Sequence, residues 1–211
     1  MRSVLLVAAS PRFERSASRA AAEHVLARLH ARAPGMAVIR RDLAATPPPL
    51  VDAPFAAAML AAEAERSHAQ ATALAESERL IGELEATDAL VIATPMHNFT
   101  VPAVLKAWID QVLRVGRTFQ RTPAGKVGRL ADRPSYVVVA AGGRITGSAA
   151  RQPDFLTPYL TAMLETLGIR DVRFLCLEGL SSEADTEARI AAETHAWLDA
   201  CLPLPGLIPQ T

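Results

Sequence analysis

Three serines in nine residues, Ser10, Ser16 and Ser18, stand just before a helical stretch near the start of the chain. Hydroxyls at such a place, with the free N–H groups of a helix N-terminus and the macrodipole behind them, suit a single phosphate. Arg12 and Arg15 add positive charge to the same loop. The competing role is local, because a serine before a helix is often only its N-cap, and Ser16 or Ser18 has that alternative. The loop has neither the glycine spacing of a dinucleotide fingerprint nor the Gly-Lys-Ser/Thr ending of a nucleoside-triphosphate loop. Neither an NAD site of that kind nor ATP is indicated.

A second cluster is Pro95-Met96-His97-Asn98-Phe99, which follows an apolar run and precedes a helix that opens at Pro102. The Asn98 amide and the backbone offer hydrogen bonds to a flat ring, and Phe99 offers an apolar wall. Met96 and Phe99 have core positions as their alternative, and His97 alone carries little weight. A third cluster, Ala140-Ala141-Gly142-Gly143, has no side chain to stop a ring edge from reaching backbone N–H groups, although a glycine pair also simply marks a turn. Phosphate ligands, an aromatic loop and a bare backbone edge together match a flavin mononucleotide (FMN).

The elements around these clusters must bring them together. Val4 to Ala9 reads as a strand and Ser18 to about Ala33 as a helix, followed by a weaker, more polar strand over Met36 to Leu43, suited to a sheet edge. Two alanine-rich helices are expected over Pro54 to Glu65 and Ser67 to Glu85, then a strand over Ala89 to Ala93 and a helix from Pro102 to about Val115. Gly116 to Arg133 reads as a hairpin or excursion. Ser135 to Ala141 is the fourth strand, Phe155 to Leu167 a helix closed by Gly168, Asp171 to Leu177 the fifth strand, and Glu183 to Leu202 the last helix. Five strands alternating with helices, the central ones wholly apolar, indicate an α/β fold with a parallel sheet covered on both faces. In such a sheet the loops after strands one, three and four open on one side, where ligands bind.

Composition narrows the rest. The chain has 211 residues, half of them hydrophobic, and no linker-like stretch, so one domain over 1–211 is expected. Acids and bases balance at 22 each, which gives no electrostatic footprint for nucleic acid. No apolar segment has the length to cross a bilayer, and the six-residue run at the start is too short for a signal core, so the default location is cytoplasmic. Cys176 and Cys201 lack metal or redox spacing, and no metal site is expected.

With Ser10, Ser16 and Ser18, the string 95–99 followed by Val101-Pro102 and Leu105-Lys106, Gly116-Arg117-Thr118-Phe119, Gly142-Gly143, and Thr157-Pro158-Tyr159-Leu160 leading to Leu167-Gly168-Ile169, the sequence resembles the FMN-dependent NADH-azoreductases, a family of flavodoxin-like quinone reductases. The resemblance runs nearly end to end. It implies a flavodoxin-like three-layer sandwich with sheet order 2-1-3-4-5, FMN phosphate on the three serines, the flavin ring along Pro95, Met96, His97, Asn98 and Phe99, and its polar edge at Gly142 and Gly143. It also implies a homodimer with the flavin near the interface, and Phe99 and Phe119 as substrate contacts. Along the helix after Pro102, Val104, Trp108 and Val112 form one apolar stripe and Leu105, Ile109 and Leu113 the next, broad enough for core and partner together, although the same spacing equally fits a helix that is simply deeply buried. The chain departs from many relatives at Ala140-Ala141, where they carry Ser-Arg, at 144–146, where Arg144, Ile145 and Thr146 replace a histidine-bearing stretch, and at His97, where some carry tyrosine.

The activity so implied is a two-step, ping-pong transfer in one shared site. NADH or NADPH gives hydride to FMN and leaves, and a quinone or azo compound then takes two electrons. The flavin carries the chemistry, and no side chain is assigned as catalytic acid or base. The alternatives are an FMN electron carrier of the same fold, against which the neutral charge counts because such carriers dock through acidic surfaces, and a protein of that fold with no flavin at all.

Overall fold

A strand as apolar as residues 4–9 must be covered on both faces, and the computed structural model, which describes residues 1–180 and 186–203, places it inside the sheet. Strand β1 (Ser3–Ala8) is flanked by β2 (Ala37–Asp42) and β3 (Ala89–Pro95). A separate antiparallel hairpin, β4 (Phe119–Thr122) and β5 (Gly125–Gly128), comes next in the chain, before β6 (Ser135–Ala140) and β7 (Val172–Leu177). The main sheet runs β2-β1-β3-β6-β7, all parallel. This is the expected order once the hairpin strands are counted.

Alternate residues of the central strands feed two cores. Leu5, Val7, Leu90, Ile92, Val137 and Val139 face α4 (Ala75–Glu85), α5 (Ala103–Val112) and α6 (Thr157–Leu167), whereas Val4, Leu6, Val91 and Val138 face α1 (Ala17–Arg32) and α7 (Thr186–Cys201). The second strand is an edge with no fully buried residue, as its polarity suggested. Among the described residues no helix is long and apolar enough to cross a membrane.

Several boundaries differ from expectation. The helix foreseen over 54–65 is α2 (Ala53–Leu60), started by the Asp52 carboxylate accepting from the Phe55 N–H at 2.8 Å, and only a 3-10 turn follows at Glu63–Glu65. The stretch foreseen as one helix over 67–85 is two, α3 (His68–Ala73) and α4. Leu74 at the junction is buried with Phe55 and Ala58 in a small cluster of its own, so the chain turns there instead of continuing straight. Strand β3 extends two residues further than expected, because Thr94 and Pro95 still pair with β6. The expected start of the last helix at Glu183 lies outside the described residues; α7 is described from Thr186. On α5 both apolar stripes turn to the core: Leu105, Trp108, Ile109 and Val112 are fully buried, and Val104 and Leu113 pack against the same cluster. That helix keeps no broad apolar face for a partner.

Because the strands are parallel, α1, α4, α5, α6 and α7 run back from the edge where strands end to the edge where they begin. Gly168, at φ +105°, closes α6 at the latter edge in a left-handed backbone. The hairpin is fastened there too. A Cβ on Gly128 would stand 2.1 Å from the Gly168 nitrogen, and the Leu130 N–H donates to the Leu167 carbonyl at 3.0 Å.

Candidate cofactor site

Parallel pairing fixes where the three loops leave the sheet. Ala8 lies beside Ala93 and Pro95 beside Ala140, and the ladder continues just past the strands through Ala9 N–H to Ala93 O at 2.9 Å and Met96 N–H to Ala140 O at 2.8 Å. With strands about 5 Å apart, the residues that begin the loops, Ser10, Met96 and Ala141, start out within about 10 Å of one another.

In the first loop Ser16 is the N-cap of α1, its Oγ accepting the Arg19 N–H at 3.4 Å, while the Ser16 and Ser18 hydroxyls meet at 3.2 Å. The capping role foreseen as an alternative is therefore real, and it coexists with a hydroxyl pair at the helix N-terminus. Ser10 Oγ accepts the Arg12 N–H at 3.3 Å. All three serines are buried; Arg12 and Arg15 are exposed. What the sequence did not disclose is the clamp under this loop. Arg19 donates from Nε and Nη2 to the Ser10 carbonyl at 3.1 and 2.8 Å and grips both oxygens of Asp42 at 2.7 Å. Its guanidinium also lies 5.3 Å from the ring centroid of Phe13. The Arg19 hydrogen bonds hold the Asp42 carboxyl below the usual range, with help from the Ala45 and Ala44 N–H groups. Arg19 thus fastens the loop to the end of β2, a contact that no spacing along the chain announces.

The second loop is a tight turn closed by His97 N–H to Thr100 O at 2.9 Å and Thr100 N–H to His97 O at 3.0 Å. Its two central residues, Asn98 and Phe99, have φ of 47° and 72°. Asparagine tolerates this left-handed backbone, but a bulky aromatic is strained by it. The hydrogen-bonded turn holds Phe99 outward in spite of that strain, 45% exposed, which removes the core alternative for this residue. His97 and Asn98 are exposed beside it, Pro95 is half-buried, and Met96 leans on the core. The Phe99 carbonyl accepts the Phe155 N–H at 3.0 Å, tying this loop to the segment before α6.

In the third loop Ala141 is buried and its N–H donates to Leu177 O at 2.8 Å. Gly142 is exposed, and a Cβ there would meet no protein atom within 4 Å. The protein itself does not need a glycine at that point; the space lies open to something arriving from outside, which is what a ring edge seeking backbone N–H groups requires. Gly143 is half-buried, Ile145 is buried with its N–H on Glu178 Oε1 at 3.2 Å, and Arg144 and Thr146 are exposed. A groove of about 670 Å3 lies beside these loops, between α6 and β7, lined by Thr146, Asp154, Thr161, Glu165, Phe174 and Cys176.

Ser10, Ser16, Ser18, Pro95 to Phe99, Gly142 and Gly143 therefore share one edge. Phe119 does not join them. It begins the hairpin at the opposite edge, 7% exposed, with the Lys126 ammonium 5.3 Å from its ring centroid. Hydroxyls at a helix start, an outward aromatic turn and an open glycine edge fit the phosphate, ring face and ring edge of FMN.

Comparison with known proteins agrees with this fold. The profile of the family described as Flavodoxin-like fold matches residues 2–200. FMN-dependent NADH:quinone oxidoreductase 2 of Cupriavidus pinatubonensis is 48% identical over 93% of this chain and 96% of its own length. FMN-dependent NADH:quinone oxidoreductase 4 of Pseudomonas fluorescens is 49% identical over 85% of each chain. Among solved structures, the azoreductase of Bacillus anthracis superposes with a TM-score of 0.82 at 26% identity, covering 95% of this chain and 98% of that one. The chain belongs to the flavodoxin-like-fold family and, within it, to the FMN-dependent NADH:quinone oxidoreductases.

Proposed function

We propose that this chain is an FMN-dependent NAD(P)H oxidoreductase acting on quinones, azo compounds or both, carried by one observation: three loops distant in sequence meet at one sheet edge with the residue types each part of FMN requires. Ser10, Ser16, Ser18 and the first N–H groups of α1 hold the phosphate, with Arg12 and Arg15 supplying positive potential at the mouth. Pro95, Met96, His97, Asn98 and Phe99 line the ring, and Gly142 and Gly143 offer backbone to its polar edge. When bound, FMN supplies the redox chemistry, accepting hydride from NADH or NADPH and passing two electrons to the acceptor in a ping-pong cycle. The chain's own part is to orient flat molecules against Phe99, to keep the loop rigid through its strained turn, and to hold the phosphate end in place. No side chain at this edge is placed as a catalytic acid or base.

The active unit is a homodimer of single-domain chains spanning 1–211, working in the cytoplasm. Leu50, Val51 and Leu60, exposed apolar side chains before and at the end of α2, are the surface offered for self-association. Protein expressed with riboflavin supplied and purified should be yellow and should oxidise NADH only when a quinone or azo dye is added. Colourless protein overturns the flavin assignment, and yellow protein with no acceptor-dependent NADH oxidation leaves an electron carrier.

A further inference from the structure

Between the second and third loops lies a carboxamide that nothing above has used. Gln152, half-buried in the segment leading to α6, reaches across so that Nε2 donates to the Met96 sulfur at 3.6 Å, and Oε1 stands 2.7 Å from where a Cβ of Gly143 would be. Gly143 has no positive φ. The amide lies directly over its Cα, in the space a side chain there would take. The Gln152 side chain thus touches one residue from each of the two loops assigned to the ring.

Its hydrogen bonding is poor for such a position. A thioether is a weak acceptor, and among the described residues the Met96 contact is the only hydrogen bond Gln152 makes through its side chain. A half-buried amide whose oxygen and second N–H have no partner among the described residues keeps them free for a ligand arriving between the two loops. The polar edge of a flavin suits both, since its carbonyl oxygens accept and its ring N–H donates. Resting on the flavin reading above, we propose that Gln152 is a cofactor contact, reading the polar edge of the ring from between Met96 and Gly143 and so helping to set both flavin affinity and flavin potential.

The holoprotein tests this. Gln152→Leu keeps the volume and removes the hydrogen bonding; it should weaken FMN and riboflavin alike by about fivefold, because the contact is to the ring and not to the phosphate. Gln152→Glu puts a carboxylate where negative charge develops on reduction and should lower the midpoint potential. Dissociation constants from flavin fluorescence and potentials from dye-linked titration read these effects without turnover. The inference is overturned if riboflavin binding by Gln152→Leu stays within about twofold of the parent protein, or if the potential of Gln152→Glu is unchanged. A parent protein that binds neither flavin refutes the function reading itself, which is a separate result.

Discussion

The two edges of the main sheet are built from the same strands and used in opposite ways. Where the strands begin, charge is consumed internally. Asp88 accepts from the Arg2 and Ser3 N–H groups, Asp132 from those of Arg133, Arg170 and Asp171, and Arg133 donates to the Leu84, Thr87 and Ala131 carbonyls. Arg114, 1% exposed, pairs with Glu78 at 2.7 Å, and Arg117 bridges Glu78 and Glu85 at 2.9 and 2.5 Å. Where the strands end, Arg19 and Asp42 are paired in the same manner, but the serine pair, the turn at Asn98-Phe99, the Gly142 edge and the Gln152 amide keep polar or apolar capacity unfilled. One edge carries stability and the other is free to bind. Under-bonding alone does not mark the difference, because Trp108 Nε1, Gln111 Oε1 and Arg114 Nη2, on and just after α5, are buried without a partner among the described residues; what sets the binding edge apart is that its strained turn at Asn98-Phe99 and its open Gly142 face outward.

The largest effect expected from this contrast follows from breaking the satisfied edge. Arg114→Ala removes a buried arginine stem and the donor to Ser77 Oγ at 3.1 Å, while Glu78, 42% exposed, keeps Arg117; urea unfolding should show a loss of about 2.5 kcal/mol, mostly from lost packing and a hydroxyl oxygen left without its donor. Flavin affinity of the folded fraction should hardly change. A large change in affinity at intact stability would dissolve the division of labour between the edges.

Next comes the binding edge itself. Replacing Ser16 and Ser18 together by alanine should raise the FMN dissociation constant about thirtyfold through lost bonds to a charged phosphate, while unfolding loses only about 1 kcal/mol from the missing cap. Riboflavin, which has no phosphate, serves as the control and should bind as before. If both flavins weaken equally, the serines do not hold the phosphate.

A smaller effect concerns strain. Phe99→Gly relieves a left-handed aromatic and should stabilise the chain by about 1 kcal/mol, while the quinone KM rises because the apolar wall is gone. Thermal unfolding beside steady-state kinetics would check it; a drop in both stability and KM would contradict the role given to this turn.

Acid should loosen the strand-start edge gradually. Burial tends to raise the Glu78 carboxyl, but Arg117 and Arg114 outweigh it and leave it depressed; Arg117 depresses Glu85, and the Arg170 and Asp171 N–H groups depress Asp132. A carboxyl lowered in the folded state adds stability above its unfolded value of about 4 and loses it as pH falls through the lower folded value. Stability measured by urea should therefore decline below about pH 4, and Arg117→Ala should make that decline shallower. An unaltered slope would mean that these pairs do not act at that edge. Least affected of all should be Cys176, whose thiol burial pushes up to about 11 beside the groove; alkylation of native protein near neutral pH should be slow compared with that of unfolded protein.

Much of this was legible along the chain. The apolar runs at residues 4–9, 89–93 and 135–141 announced a parallel sheet buried on both faces, because only burial on both sides makes such runs tolerable, and Gly168 announced the end of a helix. The serine cluster and the string at 95–99 were visible because binding loops in this fold lie within a few residues of strand ends. The break at Leu74 was not visible, since helical spacing continues through it and only contact with Phe55 and Ala58 turns the chain.

Residue types and their order, then, determined most of the elements, since periodicity and turn chemistry are local properties that survive without neighbours, while the strand order came from the likeness to a known family. Tertiary structure alone decided that Arg19 is occupied by Asp42 and Ser10, that both stripes of α5 face inward, that Phe119 lies away from its own chain's crevice, and that Gln152 spans Met96 and Gly143. Each of these depends on which of several possible partners a side chain meets, and that is settled only when segments far apart in sequence pack together.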